Sequence, residues 1–579
     1  MKMKISSSPQ LRNLIRSLNL LLIVIIAALV STSSVKSQSL PGDAERNCMA
    51  TSGSVFPINT WFVGNTVTRN GVVRPADSLG FLDRPNCGFY QWSERMFLWL
   101  TSPAPAAYGG GSRVFNSPIF YGVSAPDFRG NRTFIRQEPG VLVVSALRDA
   151  QVGPHGFSMI MAKGGTLFEV VPPPVARSGR QLISDDTGKA IEIMRVTLAN
   201  DGKPAFFDPK GKRIAKPRPI LPQHLGKGPV IQGFFDPNRG TTTFLNPAGI
   251  VVNVEQGQSQ NGVLQAQNGS LVYYTIVVND VYAFFLTALK RGDIPSPDGQ
   301  INHAEFPTNR SALTAITDYA AAHGTTIPEP GALAVEVKMS WVEAASLPNP
   351  NSYITMNAMV PIYDRSVSDL WVRTGQHMVR LALVGMHVVG SAAGHPEMIW
   401  ATFEHFGNSP NERYSYITTA SSRRGVLQDR GGSWLFSETK AAGLFNEVHM
   451  SSEPPNIRAA PAFDISPSNT MRMHPFGSAG AEATKNSEVI SINRDVIESL
   501  VDGDVRRNYL MIGATWTIGG GPPEEGRVAG TTFLSNTTME TYQQTQGCLG
   551  CHATNKVTVS HIFCSPRDER CVEGLRPLF

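Results

Sequence analysis

Near the end of the chain stands Cys548-Leu549-Gly550-Cys551-His552, and no other stretch restricts the molecule so much. It spells C-x-x-C-H, the attachment pattern of a c-type haem. Two thiols three positions apart can add to the two vinyl groups of one porphyrin, and the histidine that follows reaches the iron as proximal ligand. Three other readings use the same residues. A reducible C-x-x-C of thioredoxin type follows a strand in a βαβ unit, whereas the flanks here are polar and rich in Gly and Thr. A zinc site needs a second ligand pair, for which Cys564 and Cys571 are loosely spaced. A string this short also arises by chance. The expectation is one covalent haem c held by Cys548 and Cys551, with His552 on the iron.

The other end of the chain supports that expectation. Before residue 36 the only charges are Lys2, Lys4, Arg12 and Arg16, and an apolar run from Leu18 to Val30 leads into small residues up to Ser39. A basic start, a short apolar run and small residues make a secretory signal, expected over residues 1–37. The run falls short of the ~20 residues of a comfortable membrane span, so no span is expected in the mature chain. Retention as an N-terminal anchor stays open, because no Ala-x-Ala site is evident. A periplasmic or secreted location follows, where covalent haem attachment is commonly completed.

Removing the signal changes the charge. The whole chain carries a formal +5, and residues 1–37 hold five Lys/Arg and no acid. The mature protein is therefore near neutral, with no basic stripe interleaved with aromatics, and nucleic acid is not an expected partner. Of six cysteines, the haem pattern takes two. The remaining four allow three connectivities, and local closure favours Cys48–Cys87 and Cys564–Cys571, which an oxidising compartment would preserve.

Only 27 residues follow His552, too few for a cytochrome body downstream of the motif, so any haem packs on chain that precedes it. Residues 38–112 read as an irregular arm and one aromatic helix over 89–100. From 113 to 480 strand signals dominate, with helical patterns at 281–290 and 311–322. The clearest strands are 332–342, 378–389 and 398–406, the last two joined by a small-residue turn over 390–396. The last region, 481–579, offers a helix around 493–500, an apolar run over 509–517 placed beside the haem, and a short helix over 537–544. The fold expected is mainly β, a sandwich or distorted barrel with peripheral helices, and a short C-terminal haem c segment packed on that body. No dinucleotide fingerprint, phosphate loop or nucleophile elbow stands at a strand–helix junction.

Leu534-Ser535-Asn536-Thr537-Thr538-Met539-Glu540-Thr541-Tyr542-Gln543, leading into the haem pattern, resembles the end of large secreted bacterial proteins of a cytochrome c family of undefined function. Pro396 to His405 and Tyr509 to Trp516 share that look. The resemblance implies a single c-type haem in an exported bacterial protein and supplies neither substrate nor catalytic residues.

Candidates for the distal iron ligand are Met471, Met473, Met539 and His561, beside an open or water-bound position. A second constellation, His387, His395, Glu397, Glu404 and His405, lies on the two joined strands. Neighbours on a regular strand face opposite ways, so Glu404 and His405 cannot serve one site. A non-haem metal would draw on His387, His395 and His405 with Glu397, while Lys338 and Arg380 could neutralise haem propionates. The leading expectation is an exported mono-haem c-type cytochrome with redox activity, transferring electrons or performing peroxide- or oxygen-dependent oxidation. Its partner would be a redox protein or a small-molecule reductant or oxidant. The competing expectation is a non-enzymatic haem-bearing carrier or a binding module of a larger assembly.

Overall fold

The computed structural model describes residues 40–579 apart from 51–56, 83–85, 124–131, 140, 144–158, 162–166, 172, 179, 199–203, 223–224, 226–229, 237–240, 251–262, 297–303, 427–432, 439–444, 447–449, 454–455, 460–462, 523–526, 543, 545–546 and 553–574. The expected signal, His561 and the Cys564–Cys571 pair lie outside the described residues.

One large sheet organises the chain. Among the described residues it has thirteen strands, of which eleven matter here: β1 (Phe120–Val123), β2 (Arg132–Arg136), β3 (Tyr273–Asn279), β4 (Val335–Glu343), β5 (Thr355–Asp364), β6 (Leu370–Ala392), β7 (His395–His405), β8 (Asn456–Ala459), β9 (Tyr509–Thr517), β10 (Val528–Gly530) and β11 (Leu575–Arg576). Along the main path the order is β10-β9-β7-β6-β4-β3-β1-β2-β11. The hairpin of β6 and β7 is antiparallel, with Val388 opposite Ala401, and it turns at Ala393-Gly394. The run over 509–517 becomes a wholly buried strand beside β7.

Among the described residues, four helices longer than one turn flank the sheet: α1 (Cys87–Leu100), α2 (Asp280–Arg291), α3 (Arg310–Ala322) and α4 (Ala483–Ser499). Asn279 starts α2 by accepting the Tyr282 N–H on its side chain, and Asn309 does the same for α3 with Ala312. Gly292, at φ 74°, ends α2 in the left-handed conformation.

The alternation of side chains along the strands divides the sheet into two unlike faces. Val337, Met339, Met386, Val388, Ala401 and Phe403 join one apolar core with α1 and α4. There Phe89 stacks on Trp516 at 3.8 Å and Phe97 on Phe403 at 4.3 Å between ring centres. Each large apolar side chain buried this way contributes about 1.5–3 kcal/mol. Val389, Met398 and Trp400 face the other way, into a second core with α2 and α3. Cys48 and Cys87 are bonded, with Cα atoms 5.3 Å apart, and tie the arm to the start of α1.

The expected fold class holds in part: a large, sandwich-like multi-strand sheet with flanking helices is present. The architecture is mixed α/β around a large multi-strand sheet, and among the described residues that sheet does not close into a barrel. Nor, among the described residues, is a C-terminal haem segment set apart from the body, since β9 and β10 complete the sheet beside β7. A smaller four-stranded sheet from residues 159–245 stands separately, with two short hairpins.

Candidate binding cleft and the polar face of the sheet

Between its apolar ends, the second face of the sheet is polar. Lys338 and Ser340 on β4, His387 on β6, and Thr402 and Glu404 on β7 point to this side. Residues 531–544 lie across them as a strap. Asn536 Nδ2 donates to Thr402 Oγ1 at 3.1 Å and to the Phe403 carbonyl at 3.0 Å. Thr537 donates its N–H and its hydroxyl to the Glu404 carboxylate at 2.7 and 2.5 Å. Thr538 Oγ1 lies 2.6 Å from Ser340 Oγ. Glu540 reaches His387 Nε2 at 3.0 Å and Lys338 Nζ at 3.4 Å. Burial opposes charge on Glu540, but the His387 and Lys338 charges outweigh it and hold the carboxyl down at about 2.

Glu404 also receives Arg472 Nη2 at 2.7 Å, and both side chains are fully buried. Asn411 Oδ1 accepts from Arg472 Nη1 at 2.6 Å, so the pair sits in a hydrogen-bonded setting rather than in bare apolar core. Close approach of the strap depends on Gly385: a Cβ there would stand 2.6 Å from both Ser340 Oγ and Thr538 Oγ1.

These contacts relocate the residues singled out in the sequence. His387, Glu404 and Lys338 hold the strap. His395 and Glu397 form a buried pair on the opposite face, where Nδ1 meets Oε1 at 2.9 Å and Thr517 donates its hydroxyl to the same oxygen at 2.9 Å. Phe89 packs on the edge of His395. His405 stacks on Tyr353 at 3.7 Å, and burial pushes its pKa down to about 3, so the ring is neutral. Arg380 is exposed and donates to Thr355 Oγ1. Met471 and Met539 are buried; Met473 donates its N–H to Gln544 Oε1. Cys548 to Cys551 form one helical turn, with the ring of His552 4.3 Å from that of Trp400 and Leu549 in the α2–α3 core.

The cofactor and metal expectations are corrected by this arrangement. Among the described residues no group of three or more His, Cys, Asp and Glu side chains converges to hold a metal ion. His387 faces the strap, whereas His395 and His405 share the opposite face at the two ends of β7 and pack on different partners. The additional non-haem metal, the mono-haem redox assignment and the cytochrome, haem and metal-binding descriptions built on it are therefore set aside. Among the described residues, no helix is long and apolar enough to cross a membrane.

A cleft that the sequence did not signal opens at the other end of the α4 side. It encloses about 700 Å³, lined by the arm at Leu40 and Gly42, by Arg69, by Asn349, Asn351 and Ser352 between β4 and β5, by Phe406 after β7, and by α4 and the loop into β9. Arg494, Ile497 and Glu498 come from α4; Gly503, Asp504, Val505, Arg507 and Asn508 come from the loop. Beneath the loop, Arg506 grips Asp504 through Nε at 2.9 Å and Nη2 at 2.6 Å, and it also donates to the Gly71 carbonyl. Burial disfavours charge on Asp504, but the Arg506 contacts prevail and keep its carboxyl below the usual range. Arg69 Nε donates to the Gly503 carbonyl at 2.9 Å, and Asn508 to the Ser352 carbonyl at 2.9 Å. The cleft wall is thus built from crosslinked backbone. With Asp504 neutralised from below, the charges lining it are Arg69, Arg494 and Arg507 against Glu498; Glu498 is shared by Arg494 and Arg46, and Arg507 pairs with the exposed Asp502.

No family model, curated protein or solved structure matches this chain. The resemblance to a secreted cytochrome c family is corrected accordingly: neither a family match nor a metal-holding group among the described residues supports it.

Proposed function

We propose that this chain is an exported, non-catalytic binding module, and that the arginine-lined cleft receives a polar ligand carrying a carboxylate. The observation that carries this reading is the cleft itself: a pre-formed, solvent-open cleft of about 700 Å³ with three guanidinium groups, three asparagines and an apolar strip of Leu40, Phe406, Ile497 and Val505. Its volume lies within the ~300–1,000 Å³ of small-molecule sites, where a few placed polar groups set orientation. Guanidinium groups match carboxylates with paired, charge-assisted hydrogen bonds.

A binding role suits the chemistry of the lining better than catalysis. Its hydroxyl, on Ser352, is turned to the Asn349 carbonyl, to which it donates at 2.7 Å. The imidazole of His405, with Nε2 3.3 Å from the Ser352 carbonyl, is stacked on Tyr353, and burial makes it a weak base. Export is supported by the N-terminal sequence and by the Cys48–Cys87 bond, which an oxidising compartment preserves.

Calorimetric titration of the full chain with galacturonate, using galactose as the uncharged control, tests the reading. The acid should bind and the neutral sugar should bind at least about tenfold more weakly. Arg69→Ala and Arg507→Ala should each weaken the acid by about tenfold or more, the scale of one charged hydrogen bond. Equal binding of both sugars, or no binding of the acid, would overturn it.

A further inference from the structure

Strand β6 is long, and its two edges are not equally occupied. On one edge β5 pairs from Val372 to Ala382 and β7 continues from Gly385. On the other edge, β8 pairs with Leu370 and Trp371, and β4 begins only at Leu381. Between them, among the described residues, Arg373 to Arg380 has no strand beside it. Every residue from Val372 to Met378 is exposed.

The direction of the backbone groups can be worked out. Leu383 donates its N–H to the Ile354 carbonyl, on the β5 side. In an antiparallel pair the hydrogen-bonding direction alternates by residue, so Leu381, Val379, His377 and Gly375 also bond toward β5. Gln376, Met378 and Arg380 then aim their N–H and C=O groups at the open edge. A bulge between Ile362 and Tyr363 reverses the alternation beyond Gly375. Arg373 accordingly points its N–H outward too, where Asn456 Oδ1 on β8 accepts it at 3.1 Å. The opening is thus a gap in a row already begun at both ends.

We infer that this gap accepts an extended, acidic segment of a partner protein as an added antiparallel strand. β8 and β4 both run antiparallel to β6, so an added strand of that direction continues their row. Eight residues at about 3.4 Å each span roughly 27 Å, and a segment of that length satisfies the outward groups. Main-chain hydrogen bonds would supply affinity and side chains the selectivity, as in strand addition generally.

The chemistry of the occupant follows from charge. Between Leu370 and Gly394 the chain holds Arg373, Arg380 and two histidines but no acidic residue. Val372 and Met378, 43% and 51% exposed, give the strand apolar points on a cationic background. A partner strand alternating carboxylates with β-branched residues complements both. A second copy of this chain does not: it presents the same cationic strand without a carboxylate, and like charges on paired strands repel. The two arginines therefore act against self-association while favouring an acidic strand. This surface is separate from the cleft, and the inference holds whether or not the cleft binds a carboxylate.

The test uses the full chain and an acetylated, amidated octapeptide alternating glutamate with valine or threonine, labelled for fluorescence anisotropy. A lysine-for-glutamate peptide is the control. The glutamate peptide should bind, and it should slow amide exchange at Gln376, Met378 and Arg380. Arg373→Glu with Arg380→Glu should weaken it by at least about tenfold. Met378→Pro removes an outward N–H that β5 does not use, so the fold should survive while binding is lost. Sedimentation should show a monomer. Equal binding of the lysine peptide, no binding of the glutamate peptide, protection elsewhere, or dimerisation through this edge would each overturn the inference.

Discussion

The two halves of β6 share one backbone and differ in everything around it. From Leu381 to Ala392 nearly every residue is buried, with β4 on one edge, β7 on the other, the aromatic core of α1 beneath and the strap above. From Val372 to Met378 every residue is exposed, and β5 alone pairs alongside. Composition follows the environment: Leu-Ala-Leu-Val-Gly-Met in the closed half, Arg-Thr-Gly-Gln-His-Met in the open one. The difference teaches that strand formation here is not a matter of propensity. The open half stays extended because the closed half fixes its direction and β5 fixes its register.

Several substitutions would break that contrast. The largest effect is expected at Glu404, which joins the strap to Arg472 on the polar face of the sheet. Glu404→Ala leaves a buried guanidinium without its carboxylate and should cost about 3–5 kcal/mol, measured by urea unfolding with the slope unchanged. A matched pair of glycines comes next. Gly385→Ala would drive a Cβ to 2.6 Å from Ser340 and Thr538 hydroxyls, and overpacking of this kind costs about 1–3 kcal/mol. Gly375→Ala, ten positions earlier in the open half, meets nothing nearer than the Ile362 Cδ1 at 3.9 Å and should change stability by less than about 0.5 kcal/mol. Equal costs at the two positions would erase the contrast.

A smaller effect should appear with pH. The Glu540 carboxyl is held at about 2 in the folded chain, below its ordinary 4.5. A depressed carboxyl stabilises the fold fully above the unfolded value and loses that contribution as pH falls toward the folded one. Stability should therefore drop between about pH 4.5 and pH 2, by about 1–2 kcal/mol for a group still 31% exposed. Glu540→Gln should remove that part of the pH dependence. Met378→Ser, on the open edge, should leave stability within about 0.5 kcal/mol.

How much of this was legible in the sequence depended on distance along the chain. The helices over 87–100, 280–291 and 310–322 show in local periodicity and caps, and β4 and the β6–β7 hairpin in their apolar runs and small-residue turn. The Cys48–Cys87 bond was accessible to the local-closure argument. The strap was not. Asn536-Thr537-Thr538-Met539-Glu540 looks like the capped start of a helix, yet its side chains serve partners more than 130 residues away. His387, Glu404 and Lys338 carry the residue types of a ligand site, and nothing local says that a distant threonine and glutamate will claim them. The haem pattern misled for the same reason: a string specifies spacing but not the surroundings, and His552 lies against Trp400. The cleft is assembled from five separated stretches, none of which carries a motif.

Residue-resolved amide exchange along β6 in the isolated full-length chain tests the account most directly. Met386 to Gly390, paired on both edges, should be protected by orders of magnitude, while the amides of Gln376, Met378 and Arg380 exchange near the rate of an unstructured peptide. Uniform protection from Arg373 to Gly390 would mean that the edge is already occupied, and it would contradict the division of the strand into a closed half and an open one.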